Sequence, residues 1–160
     1  MAKVLELQLP LKLDQPTEGL GNCFPIAIVQ QLQRPEIFNQ LRPTVKRLAK
    51  HVSGHTLLRQ SVYAFIMKSR HPRVAEFRQQ YEELEGQISG ISWHQYWASV
   101  VADRTWVDSW FVQATAWYLQ LDIWIITTSN KLGLSCAKLR PASLLKLSLL
   151  ENLELCKCEK

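Results

Sequence analysis

The first part of the chain changes from alternating to helical hydrophobic spacing. Residues 1–17 alternate apolar and polar positions, which predicts a short strand or an extended N-terminal arm. Gly19 and Gly21 then mark a turn. The apolar residues that follow Cys23 predict a helix, which Pro35 ends.

The middle of the chain is mainly helical in its spacing. Three further helices are predicted at about 36–50, 56–70 and 72–85. Residues 86–92 predict a loop, and Ser92 is a suitable N-cap for the helix that follows. Another helix is predicted to begin near residues 106–108, and the β-branched and aromatic stretch 122–129 predicts a buried strand. Because helices dominate and a strand follows them, the predicted fold class is α+β.

The sequence changes character after Asn130. All fifteen aromatic residues lie at or before Trp124, whereas residues 131–160 contain ten leucines and three of the four cysteines. Residues 143–160 predict one amphipathic helix or a segment foreign to the preceding fold. We therefore divide the chain into an arm (1–17), a domain (18–129) and an atypical Leu/Cys-rich C-terminal segment (130–160).

The length and charge are those of an ordinary globular domain. The 160 residues suit one domain, and 47% of them are hydrophobic. The net charge of +5 raises a basic nucleic-acid-binding domain as one alternative. However, the basic residues are scattered, and even the densest group, 42–51, has apolar residues between its charges. This pattern favours a solvated helix face over a nucleic-acid site.

The sequence predicts an intracellular protein, cytoplasmic or nuclear. Its first residues lack the apolar core of a signal peptide, and no stretch reaches the roughly 18 apolar residues of a membrane span. The four cysteines are too few and too irregularly spaced for a disulfide framework. Cys156 and Cys158 lack the further ligands that a zinc site needs, so no metal is predicted.

Cys23 is the main candidate for chemistry. A free thiol has a pKa of about 8.5, and a helix N-terminus can lower it to between about 3.5 and 7.5. The N–H groups of the first turn can also stabilise an oxyanion. Gly19 and Gly21 leave space for a substrate carbonyl, and Asn22 suits an unusual backbone angle. The other interpretation of these residues is that Cys23 is a small buried core residue.

Two stretches of the chain resemble the ovarian-tumour (OTU) family of cysteine proteases. The stretch GNCFPIAI resembles the nucleophile motif of that family, with matches at Gly21, Asn22, Cys23 and Ala27. Residues 92–128 resemble a second family pattern, in which a helix, a Trp-containing loop and an alanine-rich helix precede a strand. Together the two resemblances cover most of residues 15–129.

The resemblance implies a papain-like arrangement, with the helix that bears Cys23 packed on a small sheet. It also implies a deubiquitinase that hydrolyses isopeptide bonds of ubiquitin or a ubiquitin-like protein. Cys23 would attack the carbonyl, and backbone N–H groups around Leu20, Gly21 and Asn22 would bind the oxyanion. No metal or cofactor is implied. Among the tryptophans, Trp106 lies in a predicted loop, where it would line a substrate groove.

The chain departs from the OTU pattern at two places. Leu20 occupies a position where the family often has Asp, and no histidine follows His94. The family's catalytic histidine lies after the strand that corresponds to residues 122–128. Two alternatives follow: a catalytically dead OTU-like module that binds ubiquitin, or a domain whose native end has been replaced within residues 130–160. The four histidines all precede that strand: His51, His55, His71 and His94.

Overall fold

The computed structural model describes residues 20–129 and 133–139, which form helices followed by a β-hairpin. The elements are α1 (Cys23–Leu32), α2 (Pro35–Phe38), α3 (Pro43–Lys50), α4 (Gly54–Lys68), α5 (Pro72–Glu83), α6 (Glu85–Ser89), α7 (Trp93–Val101), α8 (Ser109–Leu119), β1 (Ile123–Ser129) and β2 (Gly133–Leu139). Helices dominate these residues, as predicted. The predicted arm, 1–17, and residues 140–160 lie outside the described residues, as do Cys156 and Cys158.

Proline and glycine account for two differences from the predicted helices. The single helix predicted for 36–50 is wrong, since Arg42 adopts an extended conformation before Pro43 and a new helix begins there. A residue before proline is disfavoured in the helical region, so the break is local in origin. The loop predicted for 86–92 is wrong in its first half, because Glu85–Ser89 forms a short helix that ends at Gly90 with a φ of 69°.

The helices on either side of the loop 102–108 begin at side-chain caps. Ser92 and Gln95 form a capping box at the start of α7, which confirms Ser92 as the predicted N-cap. Asp108 caps α8 by accepting hydrogen bonds from the N–H groups of Trp110 and Phe111 at 3.0 and 3.3 Å. The Asp108 cap therefore fixes where the loop 102–108 ends.

Aromatic side chains form the centre of the core. The Phe77 ring lies 5.8 Å from that of Trp93 and 4.8 Å from those of Trp110 and Trp117. These contacts join α5, α7 and α8. The same cluster of buried residues extends to Val29 on α1, so the helix that carries Cys23 shares this core.

The sheet consists of β1 and β2 in antiparallel pairing, with Ile123 opposite Leu139 and Ser129 opposite Gly133. The strand predicted for 122–129 is confirmed as β1. However, only one face is buried at its start: Ile123 is 6% exposed and Trp124 is 49% exposed. β2 comes from the segment 130–160, so part of that segment pairs with the domain. Across the described ranges, no helix is long and apolar enough to cross a membrane.

Candidate functional site

Cys23 is the first residue of α1, as predicted. Its side chain is half-buried. The N–H groups at the start of a helix have no acceptor within the helix, and they carry the positive end of its dipole. Pro25, in the same turn, has no N–H, so the donors of this turn are those of Cys23 and Phe24. The position suits a thiolate or an oxyanion.

The turn before α1 is built around Gly21. This residue has a φ of 84°, a conformation that favours glycine. A Cβ at this position would overlap the carbonyl group of Arg104, so the turn and the loop 102–108 are in close contact. Gly21 is buried, whereas the neighbouring Leu20 is 55% exposed.

Asn22 joins the same two segments through its side chain. Its Nδ2 donates to Asp103 Oδ1 at 2.7 Å, and its Oδ1 accepts from the Arg104 N–H at 3.1 Å. The φ of Asn22 is −97°, so the unusual backbone angle predicted for it belongs to Gly21 instead. The Asn22 amide group therefore ties the turn to the loop 102–108, because its nitrogen and its oxygen both have hydrogen-bond partners on that loop.

Arg59, on α4, is the residue of this site that sequence reasoning missed. Its side chain is fully buried. It donates to the carbonyl oxygens of Val100, Gly21 and Thr105 at 2.5, 2.8 and 2.6 Å, and to Asn22 Oδ1 at 3.1 Å. Burial lowers the pKa of Arg59, while the negative charges of Asp103 and Cys23 oppose that effect. A charged residue within the apolar stretch 57–66 was the signal that could have identified it.

One histidine side chain approaches the loop 102–108. His55, in the first turn of α4, has its Nε2 3.9 Å from Asp103 Oδ1. The hydrogen bond from Asn22 lowers the pKa of Asp103, and the charge of His55 contributes in the same direction. The structure therefore links His55 to Asp103, and Asp103 to Asn22, the residue before Cys23. The separation of these residues along the chain did not indicate these contacts.

The other histidines have local surroundings. The Nδ1 atoms of His51 and His71 accept hydrogen bonds from the N–H groups of Ser53 and Arg73. His94 is exposed on α7, next in sequence to the buried Trp93. None of these contacts involves the turn at residues 20–22.

Trp106 lies on the loop 102–108, which contacts the turn at Gly21; its place in a substrate groove stays a prediction. The carbonyl groups of Gly21 and Thr105 both accept hydrogen bonds from Arg59 Nη2, so the two segments converge on one nitrogen atom. Leu20 precedes Gly21 and Trp106 follows Thr105, and their side chains are 55% and 51% exposed. The turn before α1 and the loop 102–108 therefore each carry one exposed apolar side chain, Leu20 and Trp106.

Comparisons with known proteins add no relative of this chain. No family model, no curated protein and no solved structure matches it. The described residues also contain no group of histidine, cysteine and carboxylate side chains arranged to hold a metal ion. The OTU resemblance therefore depends on the residues of this chain alone.

Proposed function

We propose that this chain is an OTU-like cysteine hydrolase that acts on ubiquitin or ubiquitin-like conjugates, with Cys23 as its nucleophile. The observation that carries the proposal is the position of Cys23 at the first residue of α1, directly after a turn that a buried guanidinium holds. A papain-like arrangement would place the substrate carbonyl at this helix start. The N–H groups there would stabilise the oxyanion.

The reaction proposed is thiol-dependent acyl transfer. The Cys23 thiolate attacks the carbonyl carbon of the isopeptide bond, and the lysine amine leaves after it takes up a proton. Water then hydrolyses the thioester, which releases the carboxylate and restores the thiol. Leu20 and Trp106 would contact the extended peptide that leads to the scissile carbonyl, because both are exposed beside the helix start.

A ubiquitin-binding module without turnover is the second candidate. Proton transfer to the leaving amine needs an acid, and the family's histidine has no counterpart after His94 in this chain. Among the four histidines, His55 lies 3.9 Å from Asp103, the carboxylate that accepts a hydrogen bond from Asn22. The same surface would bind ubiquitin in both cases, so the two candidates differ in chemistry rather than in location.

A ubiquitin probe with a C-terminal electrophile tests Cys23 as the nucleophile. We expect the full chain to form a covalent adduct and the Cys23→Ala variant to form none. Cys136→Ala is the matched control and should label like the native chain. Adduct formation that persists in Cys23→Ala, or its absence together with no ubiquitin binding, would contradict the proposal.

Hydrolysis of di-ubiquitin separates the two candidates. Turnover that disappears in Cys23→Ala supports the hydrolase. Saturable ubiquitin binding without turnover or adduct formation supports the binding module. Binding to RNA or DNA that weakens steeply with salt, in the absence of ubiquitin binding, would instead support the basic nucleic-acid-binding alternative.

Trp106→Ala tests the substrate surface. We expect about a tenfold slower reaction with the ubiquitin probe, since a central exposed aromatic side chain often contributes above 1 kcal/mol to an interface. Alkylation of Cys23 by a small reagent should stay unchanged. Trp124→Ala is the matched control, because Trp124 is similarly exposed at 49% but lies on β1. Equal effects of the two variants would place the substrate elsewhere.

A further inference from the structure

Arg59 places a buried positive charge behind the turn that precedes Cys23. Its four recorded acceptors are neutral oxygen atoms: three carbonyl groups and the Asn22 amide. Hydrogen bonds to neutral groups spread the charge of a guanidinium but do not cancel it. Burying a charge without compensation costs free energy, so other contacts must stabilise the charged form of Arg59.

The surroundings of Arg59 preserve its charge. Its Cζ lies 5.8 Å from the centre of the Phe111 ring, which offers a cation–π contact from α8. The Asn22 amide links it to a carboxylate, because Asn22 Oδ1 accepts from Arg59 while Asn22 Nδ2 donates to Asp103. Arginine also resists deprotonation more than any other side chain. The group therefore remains a cation inside the fold.

The position of Arg59 connects this charge to Cys23. Two of its acceptors, Gly21 and Asn22, are the residues that immediately precede Cys23. Resting on the proposed function, we infer that Arg59 is a positioning residue that holds the turn before α1 and favours the Cys23 thiolate through its charge. Burial lowers the pKa of Arg59, and the negative charges of Asp103 and then Cys23 oppose that effect; the interaction between Arg59 and Cys23 is mutual.

Other charged groups lie beside Arg59. Asp103, on the loop 102–108, reaches the turn through Asn22, and His55 and Arg104 each lie 3.9 Å from a carboxylate oxygen of Asp103. Asp103 opposes the effect of Arg59 because a nearby carboxylate disfavours a thiolate. Protonation of His55 would act in the same direction as Arg59. The inference therefore predicts effects of opposite sign for Arg59 and Asp103.

The rate of Cys23 alkylation as a function of pH tests the inference without ubiquitin. Iodoacetamide reacts with the thiolate, and mass spectrometry of the peptide that contains Cys23 separates it from the other cysteines. We expect Arg59→Gln to raise the midpoint of the rate profile by about one pH unit, whereas Arg59→Lys stays closer to the native chain. Arg78→Gln is the control, since Arg78 is an exposed partner of Glu82 on α5.

Asp103→Asn should shift the midpoint in the opposite direction. Because the Asp103 side chain is exposed, this variant does not change a buried position. Asparagine still offers an oxygen to Asn22 Nδ2 but removes the negative charge. We expect its midpoint to fall, while the control Glu82→Gln leaves it unchanged. A purely structural Arg59 would give equal shifts in Arg59→Gln and Arg59→Lys, which would overturn its electrostatic role. An unchanged midpoint in Asp103→Asn would show that charges beside the turn do not act on Cys23, which would overturn the inference as well.

The two proposals fail in different experiments. If the midpoint of the alkylation profile depends on Arg59 but the ubiquitin probe does not react, the proposed substrate is wrong and the role of Arg59 stands. If the probe labels normally but the alkylation midpoints do not change in the Arg59 and Asp103 variants, the proposed substrate stands and the role of Arg59 is wrong. Circular dichroism and thermal unfolding of each variant show that the comparison is made between folded chains.

Discussion

At the scale of single residues, the turn before Cys23 depends on a backbone conformation and on one buried cation. Gly21 has a φ of 84° and lies against the carbonyl group of Arg104. Arg59 donates to the carbonyl group of the same glycine at 2.8 Å. The turn is therefore held from two sides, by the loop 102–108 and by α4, which keeps the start of α1 in a defined place.

Gly21→Ala tests how much stability this close approach contributes. We expect a loss of at least about 2 kcal/mol in the free energy of unfolding, because a left-handed conformation and an overlap with backbone both penalise a Cβ. Gly90→Ala is the matched control: its φ is 69°, and a Cβ there would meet nothing within 4 Å. It should cost about 1 kcal/mol. Urea unfolding measures both, and equal losses would contradict the proposed crowding at Gly21.

At the scale of elements, the start of α8 is a partly buried ionisable cap. Asp108 accepts hydrogen bonds from two N–H groups of α8 and from the hydroxyl group of Tyr96 on α7. Burial raises the pKa of Asp108 above its usual value of 3.8, although these hydrogen bonds oppose the effect. Burial, followed by the charge of Asp108, also raises the pKa of Tyr96. One carboxylate therefore joins α7 to α8 at the end of the loop that carries Trp106.

The pH dependence of stability follows from the direction of the Asp108 shift. A raised pKa means that the folded state binds the proton more tightly, so stability falls as the pH rises from 3.8 through the folded pKa. Asp108→Asn keeps an oxygen for the cap but does not titrate. We expect the native chain to lose stability relative to this variant across that window. Asp103, whose pKa is lowered, is present in both chains and cancels. A difference that is constant with pH, measured by urea unfolding, would refute the assignment.

At the scale of the whole molecule, the aromatic cluster and the candidate site belong to one core. Phe77 contacts tryptophans from α7 and α8, and the connected buried residues extend to Val29 and Leu32 on α1. α1 also packs against α4, which carries Arg59 and His55. The geometry at Cys23 therefore depends on the packing of the whole helical part of the domain.

Phe77→Ala tests this dependence. We expect a loss of about 3–5 kcal/mol, since the substitution leaves a cavity among large rings. Ile88→Ala is the control; Ile88 is 83% exposed, and its loss should stay within about 0.5 kcal/mol. Unfolding followed by tryptophan fluorescence and by alkylation of Cys23 should give the same midpoint in each chain. Separate midpoints would show that α1 unfolds independently of the aromatic cluster.

The features that depend on neighbouring residues could be predicted from the amino-acid sequence. The start of α1 at Cys23, the Ser92 cap of α7 and the strand 123–129 all follow from interactions within about one turn or from strand propensity. The break within the predicted helix 36–50 also has a local cause, because Pro43 is a residue that can open a helix and α3 begins there. The OTU resemblance likewise depends on short motifs, and it remains a proposal for the function of the chain.

The side chains that surround the turn before Cys23 come from distant parts of the chain and could not be predicted from the sequence. Arg59 bonds to Gly21 and Thr105, which are 38 and 46 residues away, and Asn22 bonds to Asp103 across 81 residues. No local pattern encodes such pairs, because they form only when the core brings α4 and the loop 102–108 to the turn. Cys23 could thus be selected as the candidate nucleophile from its neighbours in sequence. The charged residues near it could be identified only after the helices had packed together.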